Sequence, residues 1–253
     1  MKIALTRTIS PRIADCELSF LPRVPIDVVR AQAQHANYER ALEDAGYSLR
    51  RLPDAPDLPD AVFVEDTAVV LEEVAVITRP GATSRRMETE STASMLAEYR
   101  PLLRIESGTL DGGDVLRVGR KLYVGLSARS DRAAIDELVT LLQPFGYETV
   151  GVRLDGCLHL KSAVTQIDDE TLLLNPDWVD PRHFTAMRTI PVDPAEPHAA
   201  NSLWLGETVV YPASQPKTCA RLEARGVRLT CIDMSETEKA EGGVTCCSLL
   251  FDV

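Results

Sequence analysis

Short apolar runs broken by polar turns alternate along this chain with longer stretches whose apolar positions recur at helical spacing. The clearest unit has a strand at 114–118, a turn at Gly119 and Arg120, a strand at 121–125, a helix at 130–142 and a strand at 147–153. Ser130 reads as the N-cap of that helix and Gly146 as its C-terminal stop. A second copy has strands at 67–71 and 74–78 around Glu72 and Glu73, a helix at 84–99 and a strand at 102–106. In a third, the hairpin 163–174 turns at 168–170 and leads into a Pro-rich, poorly helical connection from Asn175. A fourth has a hairpin at 202–212 around Gly206 and Glu207, a helix at 216–225 and a strand at 227–233. The fifth is split between the ends: 247–252 supplies one strand, 2–6 its partner, then a helix at 27–45 and a strand at 47–52.

The hairpins begin near 67, 114, 163, 201 and 247, at successive spacings of 47, 49, 38 and 46 residues. Strand and helix alternation alone would suit an open α/β sheet. Near-equal spacing and a split last unit favour a ring of five pseudo-symmetric ββαβ-type units around an axis, closed by pairing the N- and C-terminal strands. In such a ring equivalent positions face the axis at one end. Asp66, Asp111, Asp114, His159, Asn201 and Cys246 all lie just before or at the start of a hairpin, so one pocket should collect them.

Composition then narrows the chemistry. With 253 residues, 45% of them hydrophobic, the chain can bury a substantial core, and we read 1–253 as one domain. No apolar stretch approaches the roughly 20 residues needed to span a bilayer, and the N-terminus lacks the apolar region of a signal peptide, so the expected location is cytoplasmic. A net charge of -11 without a Lys/Arg block argues against nucleic acid and acidic membranes, and favours a cationic small molecule. The six cysteines form no CxxC or regular framework, which suits reduced thiols in a reducing compartment.

Cys246 is the leading nucleophile candidate. A cysteine beside a core strand is more often a small hydrophobe, but Gly242 and Gly243 permit a mobile loop and close backbone approach just ahead of it. Cys247 should point the other way along its strand and serve packing. Of four histidines, His35 is mid-helix and His183 and His198 lie in the Pro-rich connection, leaving His159 as the best placed acid or base. Asp111 and Asp114 flank a Gly pair, an arrangement suited to holding a cation or orienting a histidine; Asp60, Glu65 and Asp66 repeat the argument from another unit. Carboxylates and a thiol facing one axis suggest a guanidinium-like substrate. No zinc-ligand spacing, GxGxxG or GxxxxGK[ST] occurs, so neither a metal nor an organic cofactor is expected.

The segments LPDAVFVED (58–66), ITRPGATSRR (77–86), LDGGDV (110–115), VGLSAR (124–129), LHLKS (158–162), AAN (199–201) and GGVTCCS (242–248) carry a resemblance over nearly the whole chain. It resembles the dimethylarginine dimethylaminohydrolases, hydrolases of the guanidino-group-modifying superfamily with a five-bladed α/β propeller fold. The resemblance implies Cys246 as nucleophile, His159 as general acid and base, and Asp111 assisting His159. It further implies Asp60, Glu65 and Asp66 around the guanidino end or the α-amino group, Arg85 and Arg129 on the α-carboxylate, Leu18 in a lid over the site, and Ala240 and Glu241 on the opposite rim. Asp111 stands where some relatives have Glu, and Ala240 with Glu241 where some have a larger aliphatic residue and Asp.

The activity so implied is hydrolysis of an Nω-methylated arginine to citrulline and an amine through a covalent thiouronium, with no cofactor. The alternatives are an arginine deiminase or amidinotransferase of the same superfamily, which shares the thiol, histidine and carboxylates, and a non-catalytic guanidino-metabolite binding protein. The expected partner is the small cationic substrate, with neither nucleic acid nor membrane; a homodimer is compatible with the sequence.

Overall fold

Each repeat of the sequence pattern becomes a three-stranded sheet in the computed structural model, which describes residues 1–253. In every sheet the first strand pairs antiparallel with the second, and the second parallel with the third. The first sheet comprises Ala68–Val70, Ala75–Ile77 and Leu102–Arg104; the second comprises Val115–Val118, Lys121–Leu126 and Glu148–Arg153. Val164–Gln166, Thr171–Leu174 and Arg188–Pro191 make the third, and Leu203–Trp204, Val209–Pro212 and Leu229–Ile232 the fourth. The fifth joins the chain ends, with Leu249–Asp252 antiparallel to Lys2–Thr6 and Ser48–Arg51 parallel beyond it. The pattern thus yields the ring of five units expected from it, as the five-bladed α/β propeller that the resemblance implies.

Crossover helices Glu88–Leu96, Arg132–Leu142, Pro216–Glu223 and Val28–Asp44 serve four sheets, while the Pro-rich third connection holds only the 3-10 turn Pro181–Phe184. Each helix buries one face; in Arg132–Leu142 that face is wholly apolar, Ala134, Ile135, Leu138 and Leu142, whereas Glu88–Leu96 and Val28–Asp44 also bury polar side chains such as Glu88, Thr92, Gln34 and Glu39. Truncating Leu138 there to alanine costs about 2–5 kcal/mol.

Three local expectations are corrected. The N-cap of that helix is Asp131, whose carboxylate accepts the Ala134 N–H at 3.0 Å; the Ser130 hydroxyl bonds Asp114 instead. The helix expected over 84–99 divides into the turn Thr83–Arg85 and the helix Glu88–Leu96. The last strand starts at Leu249, so Cys246 and Cys247 lie in a turn ahead of it rather than on the strand. Cys247 is nonetheless fully buried, so its packing role holds for a different reason.

The apolar interior is a set of wedges between adjacent sheets. Val76, Leu110, Val115 and Val124 fill the first-to-second wedge, Tyr123, Val152, Val164 and Phe184 the second-to-third, and Ala4, Tyr38, Val210 and Cys247 the fourth-to-fifth. The first strands line an axial channel of about 660 Å³, and the short turns that feed them, Val64–Thr67, Gly112–Asp114 and Leu160–Ala163, gather at one end of it.

Candidate active site

His159 sits in extended conformation just before the turn Leu160–Ala163, and Asp114 fixes that turn. One Asp114 oxygen accepts the Leu160 N–H at 2.9 Å; the other accepts the Ser127 and Ser130 hydroxyls, both at 2.6 Å. Burial pushes the Asp114 carboxyl up to about 6 despite these donors. His159 Nε2 meets Asp111 Oδ2 at 3.0 Å, and its Nδ1 lies 3.9 Å from Asp66 Oδ1. The other Asp111 oxygen accepts the Gly81 N–H at 2.8 Å, so this fully buried carboxylate is locked on both sides. Burial opposes the imidazolium, but Asp66, Asp111 and Asp114 outweigh it and raise His159 to about 9. The Gly pair of the 110–115 segment has a steric reason here: a Cβ on Gly113 would lie 2.7 Å from both Asp66 Oδ1 and His159 Nδ1.

The Cys246 turn is tied to three other blades. Thr245 donates its backbone N–H to Asn201 Oδ1 at 3.2 Å and its hydroxyl to Glu65 Oε2 at 2.8 Å. Asn201 Nδ2 in turn donates to the Lys161 carbonyl at 3.0 Å, and the Glu65 N–H donates to the Cys246 carbonyl at 3.1 Å. A Cβ on Gly243 would fall 2.3 Å from Asn201 Oδ1, and one on Gly242 2.2 Å from the Phe63 ring, so glycine brings the backbone close rather than loosening it. The Gly243 N–H points at Cys246 Sγ at 3.3 Å. Burial, then Glu65 and Asp66, push the thiol up to about 12 against that donor and the Thr245 hydroxyl.

Glu65 pairs with Lys161 Nζ at 2.6 Å, and both line the axial channel rather than the site cavity. Glu65 is still near enough to Cys246 to raise its thiol. A small cavity of about 20 Å³ brings together Cys246, His159, Asp60, Asp66, Arg85 and Arg129, with Ala240 and Glu241 at its rim. Asp111 lies behind His159 and outside the cavity lining, and Leu18 is half-buried against the fourth-to-fifth wedge. Glu17, Phe63 and Leu158 also line the cavity and were not found from the sequence; Phe63 and Leu158 carry no chemical signal, Glu17 is one carboxylate among many, and only the ring geometry selects them. A second opening of about 190 Å³ reaches Cys246 from the side of Ser162 and Asn201.

The two arginines differ. Arg85 is nearly spent on the protein: Nε and Nη2 hold Glu88 at 3.2 and 2.9 Å, Nη1 holds Asp66 at 2.6 Å, and Nη2 also reaches the Phe63 carbonyl at 3.0 Å. Burial works against its charge, but Glu88 and Asp66 hold it well above the usual arginine value. His159 and Arg85 in turn hold the Asp66 carboxyl down to about 2 against its burial. Arg129 makes one side-chain contact, from Nη2 to Ser19 Oγ at 3.2 Å, and is the freer guanidinium. Asp60 accepts the Glu17 N–H at 3.2 and 3.1 Å, while burial raises its carboxyl. The Glu241 carboxylate is taken up by backbone N–H groups of the 19–21 loop.

Asp66, Asp111 and His159 offer ligand atoms within 4.8 Å of one another and form the one cluster able to hold a metal ion. Their oxygens already accept from Arg85, Gly113 and Gly81, which leaves a cation little donor capacity. No helix is long and apolar enough to cross a membrane.

Fold and site define the class, the α/β propellers of the arginine deiminase family, whose sequence model matches residues 53–202. The chain is 40% identical to an N(G),N(G)-dimethylarginine dimethylaminohydrolase of Streptomyces coelicolor, over 98% of this chain and 96% of that protein. It is 36% identical to the Pseudomonas aeruginosa protein of the same name, over 89% and 90% of the two chains. A solved structure of the Pseudomonas aeruginosa enzyme, a cysteine-to-serine mutant complexed with citrulline, superimposes with a TM-score of 0.92 at 34% identity over 98% of both chains. The chain belongs to the dimethylarginine dimethylaminohydrolase family.

Proposed function

We propose that this protein hydrolyses Nω-methylated arginine, dimethylarginine or monomethylarginine, to citrulline and the corresponding amine, with Cys246 as nucleophile and His159 as acid and then base. The observation that carries the reading is the lining of one cavity by two sets of groups: the thiol and imidazole with Asp66 beside them, and Arg129 with Asp60. Arg129, with the remaining capacity of Arg85, takes the α-carboxylate, Asp60 the α-ammonium, and Asp66 orients the guanidinium.

The charge balance gives the order of events. With the cavity empty, burial and two carboxylates keep the thiol protonated. A bound guanidinium offsets those carboxylates and favours the thiolate, so the substrate itself helps create the nucleophile. Sγ attacks the guanidino carbon, breaking its delocalisation. The imidazolium of His159 donates its proton to the methylated nitrogen, the C–N bond breaks, and the amine leaves a thiouronium on Cys246. The now neutral His159 takes a proton from water; hydroxide adds to the same carbon, and the C–S bond breaks to return the thiolate and citrulline. Asp111 holds the ring and its proton position through both half-reactions. Every group named comes from one chain, within one propeller domain over 1–253; a homodimer and a cytoplasmic location are compatible with this reading.

The test is citrulline release from asymmetric dimethylarginine, monomethylarginine or arginine, with the released amine or ammonia identified and Cys246→Ser as control. Citrulline with dimethylamine or methylamine, lost in the variant, supports the reading. Turnover of arginine alone would make the protein a deiminase, and silence with all three would return it to the amidinotransferases or binding proteins.

A further inference from the structure

We propose that Glu241 is a positioning residue that latches the 17–21 loop shut over the amino-acid end of the cavity, rather than a ligand of the substrate. Its carboxylate lies beneath three consecutive backbone N–H groups of that loop. Oε1 accepts from Ser19 at 3.1 Å, Phe20 at 2.6 Å and Leu21 at 2.6 Å, and Oε2 accepts from Ser19 at 3.1 Å. Successive N–H groups converging on one anion form a small binding concavity, and here the anion is supplied from the other rim of the site. Oε1 is saturated by these donors, which removes it from service to a substrate ammonium.

The backbone of Glu241 supports the same conclusion independently. At φ 60 it is the one residue other than glycine with a positive φ in the chain. A left-handed non-glycine residue persists where its surroundings over-determine it, and such positions gather at ligand clamps and lids. Glycine would suit this backbone and occupies the next two positions, yet the position holds a side chain long enough to cross the cavity mouth.

The loop is pinned on both sides of Leu18. On one side Asp60 accepts the Glu17 N–H; on the other stands the Glu241 carboxylate, with Arg129 reaching Ser19 Oγ. Leu18 is thereby pressed against the fourth-to-fifth wedge. Apolar packing does not fasten the tip, because Phe20 is 51% exposed. The tip beyond Leu18 is therefore held by polar bonds, which open and close without unpacking a core, as a lid that admits and releases an amino acid requires. The substrate in this argument rests on the function proposed above; the latch geometry does not.

The experiment compares wild-type protein with Glu241→Gly and Glu241→Gln. Amide exchange of the loop is followed in the free protein, and kcat and KM are measured with dimethylarginine. In Glu241→Gly, exchange at Ser19, Phe20 and Leu21 should rise by roughly 10–100-fold, the increment expected for losing several charge-assisted bonds. The thermal midpoint should hold or rise, because glycine adopts this backbone freely. KM should rise on the order of tenfold, by more than kcat falls, since the lid acts on binding. Glu241→Gln keeps an acceptor oxygen in place and should fall between. Unchanged exchange in Glu241→Gly overturns the latch, and so does a fall in kcat with KM held, which would put Glu241 in the chemistry. A loosened loop in a protein whose wild type turns over no methylated arginine would overturn the proposed substrate and leave the latch standing.

Discussion

The floor of the site and its rim are built differently. The floor, His159 with Asp111, Asp66 and the Cys246 turn, grows from short turns that lead straight into the inner strands of separate blades. Its polar side chains are buried, and Asp66, Asp111 and Asp114 each accept two or more fixed donors. The rim, residues 17–21 facing Ala240 and Glu241 with Arg129 beside them, is loop on loop, held by backbone N–H groups on carboxylates. Protonation states and geometry are therefore set where the fold is stiff, and substrate retention where it can move. Damage to the floor should appear in kcat, and damage to the rim in KM.

The comparison is tested most severely at the floor. Cys246→Ser should lower kcat by about 10⁴-fold or more, since an alkoxide is far harder to form than a thiolate in this carboxylate-rich setting, while the circular dichroism and thermal midpoint stay near wild type. Substantial turnover by this variant would sink the covalent scheme. Next comes Asp111→Asn. The amide keeps the shape but presents either an N–H or a neutral oxygen to His159 Nε2, which weakens the imidazolium, so kcat should fall by roughly 10²–10⁴-fold with KM little changed. A change confined to KM would mean that Asp111 serves binding, contrary to its place behind the ring.

The two arginines sharpen the same contrast within one pair of residues. Removing Arg85 in Arg85→Ala leaves Asp66 and Glu88 buried without their counter-charge, which costs about 3–5 kcal/mol of folding stability. Removing Arg129 strips the rim of its freer guanidinium, and KM should rise by roughly 10–100-fold with the thermal midpoint nearly unmoved. Thermal melts beside steady-state kinetics of both variants decide the matter. Equal loss of stability in the two would erase the distinction.

Much of this was legible in the sequence because the repeat carried it. Near-equal hairpin spacing and a fifth unit divided between the ends gave the ring, and the placement of Asp66, Asp111, His159 and Cys246 ahead of their hairpins gave their convergence. What stayed hidden depends on pairings across blades. Lys161 looks like any surface lysine until the ring sets it 2.6 Å from Glu65. Arg85 looks free to meet a substrate until Glu88, one turn on, claims it. Ser130 and Asp131 are both good caps, and the choice between them was made by Asp114, sixteen residues away from Ser130. The left-handed backbone of Glu241 has no local signature at all, since glutamate is not a residue that turn chemistry places there.

The mildest expected effect is on pH dependence, where floor and rim part again. Chemistry requires the Cys246 thiolate together with the His159 imidazolium, and the free protein holds the first at about 12 and the second at about 9. Below about 9 the imidazolium is full and the thiolate grows tenfold per pH unit, so kcat/KM should climb with that slope. Between about 9 and about 12 each gain in thiolate is offset by a loss of imidazolium, and the profile should flatten before falling. The kcat profile reports the complex, in which the guanidinium offsets Glu65 and Asp66, and its rise should lie at lower pH. Because His159 is raised from 6.5 to about 9, the stability it contributes is complete below about 6.5 and lost as pH climbs through about 9; the thermal midpoint should decline over that window. Arg129→Ala should lower the kcat/KM curve without moving its bend, whereas Asp111→Asn should move the bend to lower pH. A kcat/KM flat from about pH 6 to 9 would mean that thiol and imidazole are already paired as ions in the empty site, and the division of labour between floor and rim would have to be redrawn around a preformed nucleophile.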